Sequence, residues 1–156
     1  MLLKNGAELI ELYLGAAFTA DDLFGNLSVE TLHSLADIKH TIYFNKGVAI
    51  CAAGQSPSGI YIFCQGRAQL IATKHNGRPH IIGSIRALEV LGLSETIANQ
   101  PFETTVKTLT QCRADFIRRN DLLRFLLDEP QVCFQLVRLL SSSLQDVCKS
   151  LRCIAF

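Results

Sequence analysis

From Thr41 to Ile117 the chain alternates short apolar runs with clusters of turn-forming residues, and on either side of that block the apolar spacing turns helical. On the N-terminal side, Ser28 is a candidate N-cap with Glu30 in the first turn. Leu32, Leu35, Ala36 and Ile38 then continue a helical stripe to about Lys39. Inside the block, Ile42-Tyr43-Phe44 predicts a strand, turned by Asn45-Lys46-Gly47, and Val48 to Ala53 predicts the next. Residues Gly54 to Gly59 form a loop dense in Gly, Ser and Pro. Ile60-Tyr61-Ile62-Phe63-Cys64 is the most β-prone run in the chain. Gln65-Gly66 predicts a tight two-residue hairpin turn, with Arg67 to Lys74 running back. Asn76-Gly77 is a strong hairpin signal, expected with positive φ at both residues, and His80 to Ile85 answers it. Residues 104–112 and 114–117 predict two more strands. Asn120 is a candidate cap for a short helix through Leu126, and Asp128-Glu129-Pro130 opens a longer one. The expected order is a helix, about eight strands, a short helix and a long helix. Hairpin-linked short strands point to a mainly β, jelly-roll-like sandwich or barrel.

The last helix carries two apolar stripes. Cys133, Val137, Leu140, Leu144, Val147 and Leu151 are spaced 4, 3, 4, 3, 4, which is a heptad seam. Val132, Leu136, Leu139 and Ser143 form a second stripe beside it. One stripe suffices to dock a helix on its own domain. Two stripes predict one face on the β-roll and one on a second copy, in a parallel two-fold pair. The competing reading is one broad stripe set deep in a single core.

Composition narrows the function. The chain has 156 residues, 49% hydrophobic and 19% charged, with a formal net charge of +1. This excludes disorder and disfavours strong nucleic-acid binding by this stretch, because phosphate contacts need surplus Lys and Arg. No run approaches the roughly 18 apolar residues of a membrane span. Near the N-terminus, Glu8 and Glu11 interrupt what would be the apolar region of a signal peptide, while positions 9, 10, 13 and 14 fit a short helix. The expectation is a cytoplasmic protein with reduced thiols. Its six cysteines form no CxxC pair and read as small core hydrophobes; Cys148 and Cys153 share the last helix and are the candidates for any redox role. Asp21-Asp22 and Asp128-Glu129 sit at expected helix starts, where acids favour the dipole. Arg113, Arg118, Arg119 and Arg124 make the one basic cluster, either a solvated face or a docking surface. No nucleophile elbow, zinc-protease motif, P-loop or dinucleotide fingerprint is present, so no enzyme and no cofactor is expected.

Leu23-Phe24-Gly25-Asn26-Leu27-Ser28, Gly47, the segment Gly54 to Ile62, Cys64 to Leu70, and Glu89-Val90-Leu91-Gly92-Leu93-Ser94 followed by the seam helix resemble the sensor domain of Crp/Fnr-type bacterial transcription regulators. The resemblance spans about Leu23 to Cys153. It implies a cyclic-nucleotide-binding-like jelly-roll flanked by N-terminal helices and a long C-terminal dimer helix. The implied division is an N-terminal helical segment over 1–22, the roll over 23–128 and the dimerisation helix over 129–156. In the family a winged helix-turn-helix usually follows that helix and binds DNA; here the chain stops at Phe156, which reads as the sensor half alone.

The departures from the family are informative. Members that bind cyclic AMP or cyclic GMP open a phosphate cassette with Gly-Glu-Leu, whose Glu accepts from the ribose. They close it with Arg-Ser or Arg-Thr, whose Arg pairs the phosphate. Here Gly92-Leu93-Ser94 stands at the opening. At the closing Arg stands Phe102 or Glu103, followed by Thr104 and Thr105. Neither Phe102 nor Glu103 can neutralise a phosphate, and a buried anion without a partner is costly. Glu89 or Glu95 could replace the lost acid. The expectation is a ligand pocket that binds neither nucleotide. The family's iron–sulfur branch has an N-terminal cysteine cluster that this chain lacks, and its haem branch would need axial ligands from His33, His40, His75 or His80. Three functions follow: a regulator's sensor and dimerisation domain, a stand-alone module acting through a protein partner, or a receptor for a non-nucleotide small-molecule effector. For a ligand to switch the molecule, the pocket should touch the long helix near Leu136 to Leu144.

Overall fold

A computed structural model describes residues 18–74 and 76–155. The expected helix at positions 9–14 and any role of His75 lie outside these residues. Strand β1 (Phe18–Thr19) opens the described chain, so part of the segment expected to be helical is extended. Helix α1 (Ala20–Phe24) follows, where Thr19 and Asp22 cap each other's backbone reciprocally. Helix α2 (Val29–Ile38) starts at Ser28, whose hydroxyl accepts from the Thr31 N–H as the sequence predicts.

Eight further strands follow: β2 (Lys39–Phe44), β3 (Ala49–Cys51), β4 (Gly59–Gln65), β5 (Ala68–Thr73), β6 (Pro79–Ser84), β7 (Glu89–Leu91), β8 (Thr105–Thr108) and β9 (Cys112–Arg118). They build two antiparallel sheets, in the orders β1-β7-β4-β9-β2 and β3-β8-β5-β6. Strand β4 lies at the centre of the first sheet. Its side chains alternate between two cores, which explains its unbroken apolar run. Ile60 and Ile62 join Leu35, Ile117, Leu122 and Val132 on the helix side. Phe63 joins Ile50, Leu70, Phe102 and Val106 between the sheets.

Two turn expectations and one helix-cap expectation change. Gln65-Gly66 does not close a hairpin, because β4 and β5 belong to different sheets. Gly66, at φ +107°, lets the chain cross between them; a Cβ there would meet Cys112 Sγ at 2.6 Å. At Asn76-Gly77 only the glycine has positive φ. Its N–H donates to the Lys74 carbonyl, while Asn76 Oδ1 accepts from the Arg78 N–H. Asn120 is not a cap: helix α4 (Arg119–Asp128), which follows the short α3 (Leu93–Ala98), continues directly from β9. The Arg119 N–H donates instead to the Ser58 carbonyl at 2.9 Å.

Helix α5 (Pro130–Ala155) packs on the roll through the second stripe. Val132 and Leu136 are buried, and Leu139 packs against the same core. The expected seam splits. Cys133 and Leu140 lean on the core, whereas Val137 and Leu144 are exposed. The outward ridge is Phe134, Val137, Ser141, Leu144 and Cys148, spaced 3, 4, 3, 4. Cys148 thus departs from the expected core role, while Cys51 and Cys112 keep it. The side chains of Val147, Leu151 and Cys153 lie outside the described residues. No described helix is long and apolar enough to cross a membrane.

Candidate ligand cavity

A cavity of about 170 Å³ opens between the sheets, beside the β7–α3 segment. Leu70, Leu91 and Val106 supply apolar walls, and Ile82 to Ile85 at the end of β6 form a third side. Ser143 of α5 also lines it, so the long helix reaches the cavity inside the expected stretch 136–144.

The segment that resembles the cassette folds around Gly92. This residue sits at φ +77°, ends β7 and precedes α3, whose Thr96 N–H donates to the Gly92 carbonyl. A Cβ at Gly92 would meet the Phe102 ring at 2.7 Å, so glycine serves both the left-handed turn and the close approach. Phe102 is buried and held by its backbone: its N–H donates to Gln55 and its carbonyl accepts from Gly54. Of the two residues expected at the arginine position, Phe102 thus lines the cavity. Leu93, Ser94 and Thr104 line it as well. Glu103 and Thr105 do not. Glu103 is exposed, and the Thr105 hydroxyl accepts from the Ala53 N–H, joining β8 to the end of β3.

Charge in the cavity is one-sided. Glu89 and Glu95 both line it, and no Lys, Arg or His does so among the described residues. The Cys51 thiol in the wall is pushed up to about 12, first by burial and then by the Glu95 carboxylate. It therefore stays a neutral thiol and a poor nucleophile. No described group of His, Cys, Asp and Glu is arranged to hold a metal ion.

Residues 41–129 match the family model for the cyclic nucleotide-binding domain. The chain belongs to this family. It is 21% identical over 134 residues to the "CRP-like cAMP-activated global transcriptional regulator" of Mycobacterium tuberculosis, covering 86% of this chain and 60% of that protein. The chain thus spans 60% of that curated relative, less than two thirds of its length. Among solved structures, the Thermus thermophilus catabolite activator protein superposes with a TM-score of 0.77 at 18% identity, covering 86% of this chain and 63% of that one. The sensor domain of the regulator DNR from Pseudomonas aeruginosa gives 0.72 at 16%, covering 92% and 91%. The N-terminal domain of a Streptomyces coelicolor A3(2) transcriptional regulator gives 0.73 at 20%, covering 85% and 92%.

In this cyclic nucleotide-binding domain the cassette helix is tied to the rest of the fold through Thr96. Its side chain is fully buried and its hydroxyl donates to the Gly59 carbonyl at 3.0 Å. Arg119 Nε of α4 donates to the Thr96 carbonyl at 2.8 Å. The two hydrogen bonds tie α3, which borders the cavity, to β4 on one side and to α4 on the other. Arg119, read in the sequence as part of a basic surface, points one donor inward instead. Thr96→Val keeps the shape but removes the donor, and is expected to cost about 1–2 kcal/mol in urea unfolding. An unchanged midpoint would show that the hydroxyl contributes nothing.

Sequence reasoning did not place Phe18, Cys51, Leu70, Ile82 to Ile85 or Val106 at the cavity. They come from segments remote in sequence: Phe18 falls in the stretch expected to be helical, and the others read locally as ordinary β positions.

Proposed function

We propose that this chain is the effector-sensing and dimerisation domain of a Crp/Fnr-type transcription regulator, and that its cavity binds neither cyclic AMP nor cyclic GMP. The observation that carries the proposal is the shared lining: Ser143 of α5 and the Glu89–Glu95 segment face one cavity. A ligand there contacts both the roll and the helix. Differential contact of that kind is what shifts a two-state population. In this reading α5 pairs with its copy along the outward ridge, and DNA is contacted by a separate domain. The near-neutral charge of the chain agrees with that division of labour.

The loss of nucleotide binding follows from the cavity's chemistry. A cyclic phosphate would meet the Phe102 ring in place of a guanidinium, with Glu89 and Glu95 in the same lining. Titration calorimetry with cyclic AMP is expected to show no saturable binding below about 10 µM, an affinity worth roughly 7 kcal/mol. Saturable heat in that range would overturn the nucleotide-free reading.

A further inference from the structure

We infer that the cavity is a receptor site for a small organic cation: an amine on an apolar body about the size of a benzene ring. The inference rests on the sensor reading above and names its ligand class. Size comes first. The cavity measures about 170 Å³. An apolar cavity of about 150 Å³ accommodates benzene.

The walls come second. Leu70, Leu91 and Val106 offer an apolar surface, and Phe102 offers an aromatic ring, a favourable neighbour for a cation as well as for an apolar body. Charge comes third. Glu89 and Glu95 line the cavity from opposite sides of Gly92 in the chain, and no described cation lines it with them. The Glu95 carboxylate is felt as far as the buried Cys51 thiol, so its field reaches into the wall. Hydroxyls of Ser94, Thr104 and Ser143 can accept from an ammonium group. An anion of the same shape would lose its hydration and gain two like charges.

Three probes of nearly one shape separate these contributions: benzylamine, benzyl alcohol and benzoate, titrated calorimetrically into the full chain at neutral pH. Benzylamine is expected to bind about fivefold or more tightly than benzyl alcohol, the size of one solvent-accessible ion pair, with benzoate weakest. Glu95→Gln is expected to shrink the benzylamine preference and leave benzyl alcohol unchanged. Gly83 lines the cavity, and a Cβ there meets nothing within 4 Å. Gly83→Phe can therefore fill the space without a clash at Cβ, and it should abolish binding of all three. Benzoate binding equal to benzylamine, a preference untouched by Glu95→Gln, or binding that survives Gly83→Phe each overturns the inference. Absence of binding by any probe overturns it too. The proposed function is judged separately: the cyclic AMP titration tests its nucleotide-free part and the oligomeric state tests its dimerisation part.

Discussion

Gly59→Ala is expected to destabilise the fold by about 3–5 kcal/mol, in the range reserved for severe core disruption. Gly59 opens β4 opposite Arg118 of β9. A Cβ at this position would overlap the Ile117 carbonyl oxygen and come within 2.8 Å of Phe116 Cε2. The obstruction is backbone, so no rotamer change relieves it. Relief requires β4 and β9 to separate, and these two strands form the middle of the larger sheet. The same carbonyl that sits on this pinched residue accepts the Thr96 hydroxyl. A displaced Gly59 therefore also releases the cassette helix. Gly59→Ala combined with Thr96→Val should then cost less than the two separately, because both act on one hydrogen bond. Urea unfolding of the four proteins checks both statements. A Gly59→Ala midpoint like that of the wild type would mean that the strands can part cheaply.

The elements that were legible in the sequence share a property: their signal is local. Ser28 caps α2 because its side chain reaches an N–H three residues on. Ile60 to Cys64 reads as a strand because β-branched and aromatic side chains suit a pleated surface, and its unbroken hydrophobicity fits a strand with a core on each face. What escaped the sequence was relational. Gly66 was recognisable as a turn, but the choice between a hairpin and a crossing depends on Cys112 and Gln111, some 45 positions away. Strand β7 and helix α3 have three and six residues, too few to display a period. Arg119 looked like surface charge because its acceptor, the Thr96 carbonyl, belongs to another element.

The cavity follows the same rule. Gly92, Leu93, Ser94, Phe102 and Thr104 could be named in advance because the resemblance to the family marks that segment. Ser143 could be anticipated only as a position on the correct stretch of helix. Glu103 and Thr105 are adjacent to lining residues in the chain, yet Glu103 sits exposed in the bend before β8 and the Thr105 hydroxyl is taken up by the Ala53 N–H. Adjacency in sequence is a weak guide to what lines a cavity.

The double substitution Val137→Glu and Leu144→Glu is expected to convert a dimer into a monomer, halving the mass in light scattering while the thermal transition persists. Both residues lie on the outward ridge of α5, at 52% and 60% exposure, and Phe134 on the same ridge is 65% exposed. An exposed apolar ridge of this kind is what the proposed pairing helix would present to its copy. In a parallel two-fold pair each would face its own copy, so each substitution acts twice. Burying a Val or Leu side chain contributes about 1.5–3 kcal/mol. Losing four such burials and confronting four carboxylates should weaken association by a factor of about 10⁴ or more. The fold itself should tolerate the change, since neither residue belongs to the core. Leu140→Glu would be a poorer probe, because Leu140 leans on that core and its loss confuses unfolding with dissociation. An unchanged mass in the folded double variant would remove the dimer helix from the proposed mechanism. The two substituted positions also bear on the proposed switching. Leu144 follows Ser143, which lines the cavity. A ligand that moves Ser143 must move the turn that carries Leu144, so the cavity and the outward ridge share one segment of helix. In the proposed sensor, coupling between the cavity and the dimer helix then needs no long relay through the roll.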